Sequence, residues 1–294
     1  MTSYIGRFAP SPSGPLHFGS LVAALGSYLD ARAHGGKWLL RIEDIDPPRE
    51  VVGARDIICR QLEALGLHWD GEITRQSERD EYYQAALATL KAKKLLYACD
   101  CTRKQIKARG RHYDGHCRER ALPFRDGFAL RFLNRSPSRQ MFDRLFGHRQ
   151  WPQSALESDC ILRRRDGLWA YQLAVVVDDI QQGITHVVRG ADLLSSTPVQ
   201  IDLHQALDHQ PPCWLHLPLA VSKPGRKLSK QNHAPAIDTA HPQKTLVRAL
   251  KFLGQPTNEA MLTASVNELL AYAVSQWRPE KIPKTQEICE PEQQ

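Results

Sequence analysis

Apolar residues fall into alternating blocks of strand and helix spacing along this chain. A compact apolar stretch from Tyr4 to Pro10 meets a turn built on Pro12, Gly14 and Pro15, and apolar residues then recur at helical spacing at Leu21, Ala24, Leu25, Tyr28 and Leu29. That order predicts a strand, a tight turn and a helix ending at Gly35-Gly36. Lys37 to Glu43 reads as a second strand. Pro47-Pro48 is expected to start a helix through Ile57, Ile58, Leu62 and Leu65 to Gly66. Ser77 announces a further helix carrying Tyr83, Ala86, Leu87 and Leu90, after which Tyr97 leads into a cysteine cluster. The alternation resumes at Trp169. Tyr171 to Val177 is a continuous β-branched run, predicted to be a strand buried on both faces and closed by Asp178 and Asp179. Ile184 to Val188 predicts another strand, Thr197-Pro198 through Ile201, Leu203 and Leu207 a helix, and Leu215 to Val221 a strand entering a polar loop. Beyond Ile237 the spacing is helical, at Leu246, Leu250 and Leu253 and then at Leu262, Val266, Leu269, Leu270 and Val274, with a polar tail expected to fray. The fold class is therefore α/β, a parallel sheet split by an insert.

With 294 residues and 42% apolar content, the chain can bury the core of one large domain with appendages, or of two to three smaller units. No apolar stretch reaches the ~20 residues that span a bilayer. The N-terminus, Met1-Thr2-Ser3-Tyr4, carries no basic-then-apolar leader, so no membrane partner and a cytoplasmic location are expected. Seven cysteines, an odd number, speak against a disulfide framework. Cys59, Cys160, Cys213 and Cys289 read as plain core or surface residues. A net charge of +7 points to an anionic partner, and much of the excess lies between Arg103 and Arg149, where thirteen Lys and Arg face four Asp and Glu. Arg131, Arg135, Arg139 and Arg144 in that stretch are expected to contact phosphate.

Two short motifs carry candidate chemistry. His17-Phe18-Gly19-Ser20 opens the first helix, whose N-terminal N–H groups and partial positive charge suit a triphosphate, with Gly19 allowing close approach and His17 able to donate to a phosphate oxygen. Lys227-Leu228-Ser229-Lys230-Gln231 follows Gly225 in a polar loop and would bring mobile positive charge from the other side. Nucleotidyl transfer is catalysed largely by such positioning and charge, which makes these the two halves of an ATP-activating site. Separately, Cys99-x-Cys101 with Tyr113 and Cys117 offers three thiolates and an oxygen for a tetrahedral metal; His112 and His116 rival Tyr113 as the fourth ligand.

On these motifs the chain resembles class I aminoacyl-tRNA synthetases. Within them it is similar to glutamyl-tRNA synthetases, through Arg7-Phe8-Ala9-Pro10-Ser11, Arg41-Ile42-Glu43-Asp44, Gln76-Ser77-Glu78-Arg79, Val176-Val177-Asp178-Asp179 and His186-Val187-Val188-Arg189-Gly190. The resemblance implies a Rossmann-like sheet in two halves, 1–97 and 166–236, a zinc-bearing Arg-rich insert at 98–165, and a small helical domain with a polar tail at 237–294. It implies catalytic His17, Gly19, Lys227 and Lys230, with ATP and its magnesium held by His17, Gly19, Ser20 and Lys230. Glutamate would lie on Arg7, Phe8, Ala9, Pro10 and Ser11, its carboxylates on Arg7, Ser11 and Arg189, its ammonium on Glu43, and Tyr171 closing the pocket. The competing expectation for Arg7 and Glu43 is a buried ion pair at the sheet edge. One structural zinc on Cys99, Cys101, Tyr113 and Cys117 is implied as well.

No residues are expected to remain for an anticodon-binding domain, and in this the chain is similar to the shortened glutamyl-queuosine tRNA(Asp) synthetases. That implies RNA-independent activation of L-glutamate, then transfer to queuosine in the anticodon loop of tRNA(Asp), by a monomer. The alternatives are a minimal glutamyl-tRNA synthetase charging the 3′ end and a catalytically dead RNA-binding paralogue.

Overall fold

The protein is described here from a computed structural model covering residues 3–110, 113–152, 159–227 and 235–290. β1 (Ile5–Phe8), α1 (Phe18–Ala33) and β2 (Lys37–Ile42) follow in the predicted order, then α2 (Ala54–Ala64) and the short β3 (Thr74–Arg75). α3 (Asp80–Ala92) leads to β4 (Leu96–Cys99), α4 (Arg103–Arg109), β5 (Ala129–Phe132), the hairpin β6 (Gln140–Asp143) and β7 (Gly147–Gln150), and β8 (Ile161–Arg163). Next come α5 (Tyr171–Gln181), β9 (His186–Gly190), α6 (Thr197–Ala206), β10 (Cys213–Leu217), β11 (Leu219–Lys223) and β12 (Arg226–Lys227). α7 (Pro242–Phe252) and α8 (Val266–Ser275) precede β13 (Glu287–Cys289).

Parallel pairing organises the centre. β1 pairs with β2 and β2 with β3, while β10 lies between β9 and β6, all parallel. The two groups meet where Thr185 N–H donates to Ile5 O at 2.9 Å and Ile5 N–H donates to Thr185 Oγ1 at 2.9 Å. β4, β5 and β8 form a separate antiparallel sheet. Helix α1 packs along the centre with Leu21, Leu25 and Leu29 fully buried, each contributing roughly 1.5–3 kcal/mol. Gly26 permits this approach, since a Cβ there would meet Leu217 Cδ1 at 2.6 Å.

Four expectations are corrected. Tyr171 to Val177 is the start of helix α5 and not a strand. Its run is apolar because the helix is buried among α3, α6 and β8, with Val175, Val176 and Val177 all inside, and such a run loses the one-sided pattern that identifies a surface helix. Pro47-Pro48 opens only a 3₁₀ turn ending at Arg49, and α2 begins after Gly53, which sits at φ +77°. The strand expected from Leu215 to Val221 is two strands, β10 and β11, with Pro218 between them. The tail does not fray as far as Glu290: Glu287 to Cys289 run parallel to β11.

Candidate active site

A cavity of about 640 Å³ opens at the carboxyl ends of β1 and β9, where open α/β sheets hold ligands. Arg7 and Phe8 end β1, Ala9, Pro10 and Ser11 follow it, Glu43 follows β2, Arg189 lies near the end of β9, and Tyr171 starts α5. His17, Gly19 and Ser20 line the same cavity from the start of α1. Residues as distant in sequence as Arg7 and Arg189 thus line one cavity, because parallel strands deliver their C-terminal ends to one edge.

Buried charge fixes the floor. Asp179 of α5 accepts from Arg7 Nε at 3.1 Å and from Arg41 at 2.7 Å. Asp178 accepts from Gln76 Nε2 at 2.8 Å and from the Tyr83 hydroxyl at 2.9 Å, and it pairs with Arg79. Burial raises the Asp179 carboxyl, but the Arg7 and Arg41 guanidinium groups outweigh it and bring it to about 2. The competing expectation of a buried ion pair is met with other partners: Arg7 pairs with Asp179 and not with Glu43. Glu43 comes only within 3.8 Å of Arg41, and burial pushes its carboxyl up to about 7. A carboxylate this poorly matched by protein can accept a ligand's ammonium.

Arg189 is held rigidly. Its N–H groups donate to His216 Nε2 at 3.1 Å, Gln200 Oε1 at 2.8 Å, Thr197 Oγ1 at 2.9 Å and the Leu193 carbonyl at 3.3 Å, and its guanidinium stacks 4.5 Å from the Trp214 ring. Burial drives His216 down to about 4, so the ring is neutral; with Nε2 accepting, Nδ1–H donates to Asp143 at 2.7 Å. His17 caps α1, its Nδ1 accepting from Ser20 N–H at 3.2 Å, which assigns the proton of the neutral ring to Nε2. One first-turn donor expected for a phosphate is therefore used by the cap. Lys227 ends β12 opposite Val221, and the remainder of the second motif, Leu228 to Gln231 with Lys230, lies outside the described residues.

The cysteine cluster is real. The Sγ atoms of Cys99, Cys101 and Cys117 lie within 4.8 Å of one another and all three residues are buried. The Tyr113 hydroxyl accepts Cys117 N–H at 2.9 Å and hydrogen-bonds to the Cys99 and Cys117 sulfurs. His116 is exposed, and His112 lies outside the described residues. Three buried sulfurs and a phenol form a closed donor set of the kind a structural tetrahedral metal uses. Burial and the Cys117 contact push Cys101 up to about 11, against the Arg109 guanidinium, which donates to its sulfur at 3.0 Å.

The Arg-rich stretch is less open to phosphate than its composition suggests. Arg131 is buried, donates to the Asp159 carbonyl at 2.9 Å and stacks 3.7 Å from the Tyr113 ring. Arg144 holds buried Asp30 through both nitrogens, at 2.5 and 2.9 Å. Arg118 pairs with Asp159 and Arg120 with Asp100. Arg135 and Arg139 are exposed. Sequence reasoning missed Asp179, Arg41 and His216 as parts of the site. The available signal was a charged or imidazole side chain inside apolar runs, at Leu40-Arg41-Ile42, Val177-Asp178-Asp179-Ile180 and Leu215-His216-Leu217.

The sequence profile of the family described as tRNA synthetases class I (E and Q), catalytic domain, matches residues 5–271. A protein of Yersinia pseudotuberculosis named Glutamyl-Q tRNA(Asp) synthetase is 54% identical over 282 residues, 96% of this chain and 85% of its own length. One of the same name from Klebsiella pneumoniae is 55% identical over 283 residues, 96% of each chain. Among solved structures, a glutamate tRNA ligase from Elizabethkingia meningosepticum, in complex with its amino acid, superposes with a TM-score of 0.80 at 26% identity. That match covers 96% of this chain and 66% of the ligase, so the chain spans about two thirds of the ligase's length. No helix among the described residues is long and apolar enough to cross a membrane. The chain belongs to the class I tRNA synthetases of the E and Q type, as a ligase grouped with the glutamyl-Q tRNA(Asp) synthetases.

Proposed function

We propose that this enzyme activates L-glutamate with ATP and magnesium and transfers it to queuosine in the anticodon loop of tRNA(Asp). The observation that carries the first half is the single cavity joining Arg7, Glu43, Tyr171 and Arg189 to the first turn of α1. Arg7, Ser11 and Arg189 hold the substrate carboxylates, Glu43 takes the ammonium, Tyr171 closes the pocket, and Phe8, Ala9 and Pro10 shape its wall. ATP lies on His17, Gly19 and Ser20, with Lys227 and Lys230 clamping its phosphates. A glutamate α-carboxylate oxygen then attacks the α-phosphorus, forming glutamyl-adenylate as pyrophosphate leaves. Arg7 and Arg189 are already held by protein partners, which supports activation without RNA. A queuosine hydroxyl next attacks the activated carbonyl, forming the ester and releasing AMP. The names of the Yersinia and Klebsiella relatives support that acceptor.

In the same reading, Cys99, Cys101, Tyr113 and Cys117 hold one structural zinc, and the enzyme works as a cytoplasmic monomer. The test is transfer of labelled glutamate to aspartate tRNA with and without queuosine, followed by nuclease mapping. Label on queuosine is expected. Label on the 3′ adenosine, or equal charging of unmodified tRNA, overturns the acceptor.

A further inference from the structure

Arg131 and Arg144 turn inward, leaving Arg135 and Arg139 exposed in that stretch, and a second cavity of about 290 Å³ gathers further arginines. Two turns form this cleft, one running from Arg125 to Phe128 ahead of β5 and the other following β8 from Arg164 to Leu168. Arg165 ties them together, donating to the Gly127 carbonyl at 2.8 Å and to the Asp100 carbonyl at 3.1 Å. Four arginines and two aspartates line the cleft, a net charge of 4 − 2 = +2. Among the described residues, no carboxylate pairs with Arg125, Arg163 or Arg165; Arg125 stacks 4.4 Å from Phe128, and Arg163 lies 5.2 Å from Trp169. Phe124 on the rim is 43% exposed, with the Lys91 ammonium 4.8 Å from its ring centroid, so the ring adds a further cation and a partly open aromatic face beside the guanidinium groups.

Cationic grooves interleaved with exposed aromatic rings are the chemistry of single-stranded nucleic acid binding: phosphates follow the arginines and bases stack on the rings. Duplex RNA is read mainly through backbone shape and offers no unstacked base to an exposed phenylalanine. The position fits as well. Arg164 of the cleft donates to Asp46 at 3.1 Å, Asp46 also holds Arg49, and Arg49 lines the active-site cavity. One acidic residue therefore bridges the two cavities.

We propose that this cleft grips an unpaired segment of the substrate RNA beside the nucleotide being acylated, with phosphates on Arg125, Arg163 and Arg165 and a base on Phe124. The proposal rests on the RNA-acylating reading above and names the surface that reading needs.

Its test measures binding of tRNA(Asp) transcript between ~50 and ~200 mM salt for the Arg125→Gln/Arg163→Gln double variant and for Phe124→Ala, beside RNA-free pyrophosphate exchange. Exchange should be unchanged in both. The double variant should bind about tenfold or more weakly, with a log–log salt slope smaller by about 1.4, since each single-strand phosphate contributes about 0.7. Phe124→Ala should weaken binding at an unchanged slope, because stacking releases no counterions. Affinities within twofold of wild type with an unchanged slope would overturn the proposal. Mapping the label separates this from the parent reading. Label on the 3′ adenosine with the binding losses intact discards the queuosine acceptor and keeps the cleft, whereas label on queuosine without binding losses discards the cleft alone.

Discussion

Replacing Glu43 by Gln should make the folded protein more stable at pH 8 than at pH 5, relative to wild type, while removing most of its use of glutamate. In the folded chain burial raises this carboxyl from 4.5 to about 7, and the nearest cation, Arg41, stands 3.8 Å away because Asp179 and Asp178 engage its guanidinium. The folded state thus holds the proton more tightly than the unfolded one. Stability from this group is fully present below pH 4.5 and is lost as pH rises through 7. The full shift corresponds to about 3 kcal/mol, of which about 2 separates pH 5 from pH 8; water in the open cavity reduces this to between about 1 and 2. Glu43→Gln has no such dependence. Urea unfolding of both proteins at the two pH values should show the variant gaining about 1–2 kcal/mol on wild type at pH 8 over its standing at pH 5. In exchange assays, kcat/KM for glutamate should drop about 10- to 100-fold in the variant through loss of a charged hydrogen bond. The wild-type value should fall about tenfold per pH unit below 7. A variant whose standing is equal at both pH values, or one that uses glutamate as wild type does, refutes the reasoning.

Lys230→Ala should slow glutamate-dependent pyrophosphate exchange by about 10²-fold or more, and exchange itself should need no RNA; an absolute RNA requirement would defeat the proposed activation step. Metal analysis should find one zinc per chain, lost in Cys101→Ala. Because Arg165 is anchored on the carbonyl of Asp100, between Cys99 and Cys101, chelation should abolish transfer to RNA before it affects exchange. Parallel loss of the two activities would contradict that order. Arg144→Ala should destabilise the fold by about 3–5 kcal/mol in urea, since it strands Asp30, which is fully buried and otherwise held by Tyr4 and Trp277. A stable Arg144→Ala protein with only weakened RNA transfer would return that arginine to the RNA surface.

Local chemistry made much of the fold legible in the sequence. The turn at Pro12, Gly14 and Pro15 and the helical spacing from Leu21 to Leu29 place α1 and its N-terminus without reference to the rest of the chain, as do the spacings of α3, α6, α7 and α8. Of the candidate site, His17, Gly19 and Ser20 stand at a helix start that turn and cap signals mark, whereas Arg7, Glu43, Tyr171 and Arg189 came only from the resemblance to synthetase motifs. Tyr171 to Val177 was not legible, because a helix buried on every side loses the period that separates helix from strand, so tertiary packing alone decided it. The partners of the arginines were decided the same way. Composition counts Arg7, Arg131 and Arg144 as equal positive charges. Only the fold sets Arg7 on Asp179, 172 positions away, and Arg144 on Asp30, 114 positions away, leaving Arg125, Arg163 and Arg165 to face an outside anion. Charge is a property of the residue, but its neutralisation depends on what lies within a few ångströms in space, and that distance does not exist until the chain has folded.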